Sequence, residues 1–177
     1  MHPSSDGVSE MGQTSVSALE RALEGFSMGA EGSSHTHSEI FLHFNWHCLK
    51  DRNLIVPSVE PVLHAEIEEY CRKTKGAHFK GVGGTTNHIH LAVQLEPYVT
   101  ISDFIGKVKG ASSHEMNKRF GRDTIAWQRG YGVVSFATRN LPGVLKYVQR
   151  QKEHHANGTT RDALEKHGDW DEATDQG

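Results

Sequence analysis

The stretch Asn87-His88-Ile89-His90-Leu91-Ala92-Val93-Gln94-Leu95 carries two patterns at once. Side chains alternate across a β-strand, so Ile89, Leu91, Val93 and Leu95 share one face while His88 and His90 share the other. The apolar face belongs against a helical layer. The histidines then project together from the opposite, helix-free face, where two imidazoles at i and i+2 are able to reach one cation. Taken alone, a bare His-x-His is better read as two exposed histidines on a polar sheet face.

Working outward, the flanking chain supplies the other layers. Ile40, Leu42, Phe44, Trp46 and Cys48 recur at every second position, which predicts a strand with one buried face. Pro57-Ser58 opens a predicted helix reaching Lys75, with Val59, Val62, Leu63, Ile67 and Tyr70 as its apolar stripe and Gly76 as its stop. A short strand from His78 to Val82 leads into a turn at Gly83-Gly84-Thr85-Thr86-Asn87. A second helix runs from Thr100–Ser102 to Phe120, and a strand follows from Gly132 to Ala137. A third helix, capped by Asn140, spans Leu141 to His155. The order strand, helix, strand, strand, helix, strand fits the ferredoxin-like α+β plan, an antiparallel sheet with two helices on one face. The third helix is left to cover part of the other face.

A net charge of −3 hides an uneven distribution. Residues 38–155 hold 16 Lys and Arg against 11 Asp and Glu, while residues 1–37 and 156–177 are each four charges negative. A basic body between two acidic tails suits a domain that binds a polyanion. The tails read as disordered, apart from one short amphipathic helix at Val16–Leu23 and the isolated apolar groups Leu164 and Trp170. Cys48 and Cys71 sit in apolar patterns and read as buried thiols rather than a disulfide. No apolar run suggests a signal peptide or a membrane span, so a cytoplasmic protein is expected.

In the third helix, Tyr147 and Gln151 lie at i and i+4, one turn apart on one face. Val144, Leu145 and Val148 form the packing stripe beside them, and Lys146 and Arg150 add positive charge that suits phosphate. Taken alone, the pair is better read as a partly buried tyrosine packed on the sheet beside an exposed glutamine.

Together these segments resemble a known family. Asn87-His88-Ile89-His90-Leu91 resembles the His-hydrophobe-His (HUH) motif of single-strand DNA nucleases. Tyr147-x-x-x-Gln151, followed by Glu153-His154-His155, resembles the tyrosine helix of the single-tyrosine transposases. That family comprises small bacterial insertion-sequence transposases and relatives associated with repetitive extragenic palindromes. Lys109-Gly110-Ala111-Ser112-Ser113 and Trp127-Gln128-Arg129-Gly130-Tyr131-Gly132 fit the same pattern, and the resemblance spans Ile40 to His155.

The resemblance implies that His88, His90 and Gln151 hold one divalent cation, magnesium or manganese. It implies that Tyr147 attacks a scissile phosphate, leaving a 5′-phosphotyrosine and a free 3′-hydroxyl, and that a second strand end is then joined. The cation, Lys146 and Arg150 would favour the phenolate. The implied partners are single-stranded DNA hairpins and a second copy of the chain, whose tyrosine helix completes the first copy's site in many relatives. Backbone contacts to DNA are expected from Lys50, Arg52, Lys107 and Lys109. His154 and His155 read as surface residues, DNA contacts or a base. His43, His47, His64, His78 and His114 have no motif context. Three rivals stand beside this reading. One is a non-catalytic, RNA-recognition-like binding module, for which the aromatic signature is missing. Another is a host-owned relative acting on chromosomal palindromes with the same active site. The last is a His-x-His metal hydrolase, disfavoured because no Asp follows soon after His90.

Overall fold

The computed structural model describes residues 37–168. The expected helix at Val16–Leu23 and Trp170 lie outside the described residues. The sheet contains β1 (Phe41–His47), β2 (Ala77–Gly84), β3 (His88–Leu95) and β4 (Gly132–Phe136). Its order is β2-β3-β1-β4, with every neighbouring pair antiparallel. This is the ferredoxin-like arrangement. Helices α1 (Glu60–Lys73) and α2 (Ile101–Phe120) cover one face. There Leu42, Phe44, Trp46, Ile89, Leu91, Val93 and Leu95 meet Leu63, Ile67, Phe104, Ile105 and Val108 in the main core. The alternation in β1 and β3 thus translates directly into packing. Cys48 and Cys71 are buried free thiols, and burial pushes both up to about 12. Among the described residues, no helix is long and apolar enough to cross a membrane.

Four local expectations need correction. Gly83-Gly84 does not turn; the two residues continue β2 and pair with His90 and Ile89. Pro57-Ser58 precedes the first helix in a turn, and the helix starts at Glu60 with a proline in its first turn. Asn140 makes no side-chain cap and instead ends a 3-10 turn, Thr138–Asn140. The third helix is two: α3 (Leu141–Gln149) and α4 (Gln151–Ala156), broken at Arg150, whose φ of −109° and ψ of 27° leave the helical range.

The second face of the sheet has its own small core. Ala92 of β3 packs with Val144 and Val148 of α3, flanked by Phe136 and Leu145. Glycines in β2 make this seat. Gly83 lies opposite His90 and Gly81 opposite Ala92, on the histidine face. A Cβ on Gly83 would lie 2.0 Å from the Val148 carbonyl oxygen, and one on Gly81 would lie 2.9 Å from Leu145 Cδ2. Only a strand without side chains at these points lets α3 approach so closely. The chain after α4 returns to this face through a short helix, α5 (Asp162–Glu165), inside a stretch expected to be tail.

Candidate active site

The site grows from the polar face of β3 and β1. His88 lies across from His47 and His90 across from Asn45, so the sequence His43-x-Asn45-x-His47 shares the face of the His-x-His pair. This face is covered rather than open. His88 is 2% exposed and His90 is fully buried. Each ring is held by its Nδ1 edge. His88 Nδ1 lies 2.8 Å from Asn87 Oδ1 and 2.9 Å from Thr85 Oγ1, while His90 Nδ1 lies 2.9 Å from His43 Nε2. Burial pushes His88 and His43 down to about 3 and lowers His90 as well, so the imidazoles are neutral at physiological pH. Neutral rings oriented through one nitrogen are the form in which histidine binds metals.

The residues fit a cation. His88 Nε2, His90 Nε2 and Gln151 Oε1 are all buried without a hydrogen-bond partner. Leaving such groups unsatisfied is costly, on the order of 1–3 kcal/mol each. Gln151 opens α4, and its Nε2 donates to the Tyr147 carbonyl at 3.2 Å. That bond leaves the side-chain oxygen as the free end.

Tyr147 is 1% exposed and packs against its own chain's histidines, its ring 6.0 Å from His90 in an edge contact and stacked at 4.7 Å on His154. Its hydroxyl donates to Glu165 Oε1 and accepts the Arg161 amide at 3.0 Å. Burial raises the phenol's pKa, and the Glu165 carboxylate adds to that, against the Arg161 amide. Lys146 and Arg150 were expected to favour the phenolate. Both are exposed, and Arg150 Nε is bound to Glu153 at 2.7 Å. The ionised group beside the phenol is Glu165.

Glu165 and His155 are the members that sequence reasoning missed. Glu165 Oε2 lies 3.9 Å from His88 Nε2, 3.6 Å from His90 Nε2 and 3.6 Å from His155 Nε2. Burial raises the Glu165 carboxyl, and the surrounding imidazoles and the Tyr147 hydroxyl outweigh this, leaving it at about 2. His47, His88, His155, Glu165 and His167 line a cleft of about 420 Å³. His47 stacks 4.8 Å from His88 and 3.9 Å from His167, and its Nδ1 lies 2.7 Å from Asp51. The alternation in β1 was a usable signal for His43 and His47. Glu165 has none, since it stands in a four-residue helix.

The expected DNA contacts separate. Lys50, Arg52, Lys107, Lys146 and Arg150 are exposed. Lys109 is not: it is 8% exposed, and its Nζ donates to the carbonyls of Gln128, Arg129 and Gly130 at 2.7, 3.0 and 2.7 Å. Burial pushes its pKa down to about 8. Lys109 therefore anchors the loop before β4 rather than facing a phosphate.

Residues 36–151 match the model of the family described as transposase, IS200 like. The chain belongs to that family. Within it, the chain is 31% identical over 78 residues to transposases for insertion sequence element IS200 from Salmonella typhimurium strain LT2 and Salmonella typhi. The alignment covers 41% of this chain and 51% of each relative, so the chain spans about half the length of the curated relatives it matches. Two solved structures share the fold. One, a candidate transposase from Deinococcus radiodurans R1, has a TM-score of 0.54 at 19% identity, covering 66% of this chain and 94% of that one. The other, a REP-associated tyrosine transposase bound to a REP hairpin, has a TM-score of 0.50 at 14% identity, covering 72% and 76%. The family match ends at Gln151, so His155 and Glu165 lie beyond it.

Proposed function

We propose that this family member cuts and rejoins single-stranded DNA through Tyr147, with His88, His90 and Gln151 holding a divalent cation, magnesium or manganese. The carrying observation is that His88 Nε2, His90 Nε2 and Gln151 Oε1 are each buried without a hydrogen-bond partner, with Gln151 one helical turn from the buried Tyr147 whose ring meets His90. A bound cation would supply positive charge that polarises a non-bridging oxygen of the scissile phosphate. Tyr147 Oη then bonds to phosphorus as the bond from phosphorus to the 3′ oxygen breaks. The products are a 5′-phosphotyrosine and a 3′-hydroxyl. The new ester keeps the energy of the phosphodiester, so a second 3′-hydroxyl reverses the step and joins a new strand without a cofactor.

The hairpin-bound relative supports a hairpin substrate for this chain, and exposed Lys50, Arg52, Lys107 and Lys146 supply charge for its backbone. Tyr147 packs beside His90 of its own chain, which supports a site completed within one chain. A dimer that exchanged tyrosine helices would first have to lift α3 from its glycine seat on β2.

The test is covalent capture. Hairpin single-stranded DNA is incubated with the protein and manganese, then run on a denaturing gel. An adduct is expected with the native chain, none with Tyr147→Phe, and loss of manganese dependence with His88→Ala or His90→Ala. An adduct surviving Tyr147→Phe removes the nucleophile assignment. Absence of any adduct on hairpins from the host genome supports a binding module instead.

A further inference from the structure

His155 and Glu165 play no part in that reaction, yet they complete a cluster of potential metal-ligand atoms among the described residues. One atom from each of His88, His90, His155 and Glu165 lies within 4.8 Å of the others. We infer that these four side chains form a closed, four-ligand site for a zinc-class cation, an alternative to the open His88–His90–Gln151 set. The inference rests on the metal reading above and adds two ligands from outside the family match.

The geometry carries it. Ligands about 2.1 Å from a tetrahedral zinc stand about 3.4 Å apart. Glu165 Oε2 lies 3.6, 3.6 and 3.9 Å from the three Nε2 atoms, within about half an ångström of that edge, while the four ligand atoms span up to 4.8 Å, so the imidazoles have to close in by up to about 1.4 Å around a cation. These contacts are too long for hydrogen bonds. For His88 an ion pair is a poor account as well. Asn87 Oδ1 accepts at 2.8 Å, so His88 Nδ1 carries the ring proton and Nε2 presents a lone pair. A lone pair facing a carboxylate oxygen is repulsive unless a cation lies between them.

Three imidazoles and one carboxylate match the donor preference and coordination number of zinc. All four positions are then taken by protein, and none is left for a phosphate oxygen. Glu165 has to leave before substrate reaches the metal. Its other oxygen accepts the Tyr147 hydroxyl, so the same departure frees the nucleophile.

The experiment uses the full chain, stripped with a chelator and titrated with zinc against a chromophoric competitor. The native protein is expected to bind one zinc. His155→Ala and Glu165→Gln should each weaken binding at least tenfold, and His88→Ala should abolish it. X-ray absorption of the zinc-loaded native chain should count three imidazoles, which guards against variants that fold poorly. Zinc should also block manganese-supported adduct formation, less so in Glu165→Gln. Two imidazoles, or zinc affinity unchanged by both His155→Ala and Glu165→Gln while His88→Ala still loses it, overturns the closed site and leaves the open one standing. Zinc affinity indifferent to His88→Ala overturns both.

Discussion

Replacing Gly83 with alanine tests whether the glycine seat places Tyr147, the proposed nucleophile. The added Cβ would lie 2.0 Å from the Val148 carbonyl oxygen, a backbone atom that no rotamer change can move. Ordinary carbon–oxygen contacts begin at about 3.3 Å, so α3 must retreat by roughly 1 Å or β2 must buckle. Overpacking of this kind costs about 1–3 kcal/mol. For a domain of this size, that lowers the melting temperature by roughly 3–12 °C. A functional cost accompanies it, because Tyr147 is the residue next to Val148. A misplacement near 1 Å is worth about 100-fold in rate. Adduct formation should fall by that order, while cation binding at His88 and His90 persists. A variant that melts normally and reacts at the native rate refutes the seat. One that melts lower yet reacts normally shows that α3 is located by other contacts.

The two exposed glycines of α2 predict the reverse sign. Nothing lies within 4 Å of a Cβ built on Gly106, so Gly106→Ala should raise stability by about 0.5–1 kcal/mol in a denaturant titration; a loss would mean that this face is occupied. Lys109→Met strands three carbonyls and should cost about 3 kcal/mol, without altering the salt dependence of DNA binding. Lys107→Ala should flatten that dependence by about 0.7 in log–log slope, and equal slopes for native and variant would remove Lys107 from the interface. Stability should also fall in mild acid. His43 and His88 titrate near 3 when folded, so below their ordinary 6.5 the unfolded chain takes up protons first. The stabilisation is complete above 6.5 and is lost progressively toward 3, about 2–3 kcal/mol for each ring by pH 4.5. A melting temperature flat between pH 7 and 4.5 contradicts buried neutral imidazoles.

The fold was legible wherever periodicity was strong. The alternation of β1 and β3 located the core and the element order placed two helices on one face, except that Ile40 lies before β1 and is exposed and that the second face of β1 is buried as well. Legibility failed where a residue's role depends on a distant neighbour. Gly83-Gly84 has the composition of a turn, and only the helix lying on it explains why a strand should lack side chains there. Lys109 sits in a basic helix, and only the loop folded over it turns its ammonium inward. The break at Arg150 leaves no mark in the helical pattern, because both sides of it are helical. His43 and His47 alternate opposite the apolar stripe of β1. Their relevance to His88 and His90 emerges only once β1 and β3 are known to be neighbours.

The candidate site therefore has two origins. His88, His90, Tyr147 and Gln151 lie inside the family match, on a sheet and a helix whose positions follow from packing. His155, the Arg161 amide and Glu165 lie outside it, on a segment with little packing of its own. Such a segment opens at low cost compared with α3, which is held by Val144 and Val148 against Ala92. Glu165 uses one oxygen on the Tyr147 hydroxyl and turns the other toward three imidazoles. Both contacts belong to one side chain and break together. Whatever draws Glu165 toward a cation favours the held tyrosine, and whatever pulls the segment away favours the open site. By linkage, DNA that displaces the segment must weaken a cation bound in the closed set by the same factor by which that cation weakens the DNA. Measuring zinc affinity with and without hairpin DNA, and hairpin affinity with and without zinc, should show each weakened by the same factor. Factors near one would mean that the segment does not stand between substrate and site.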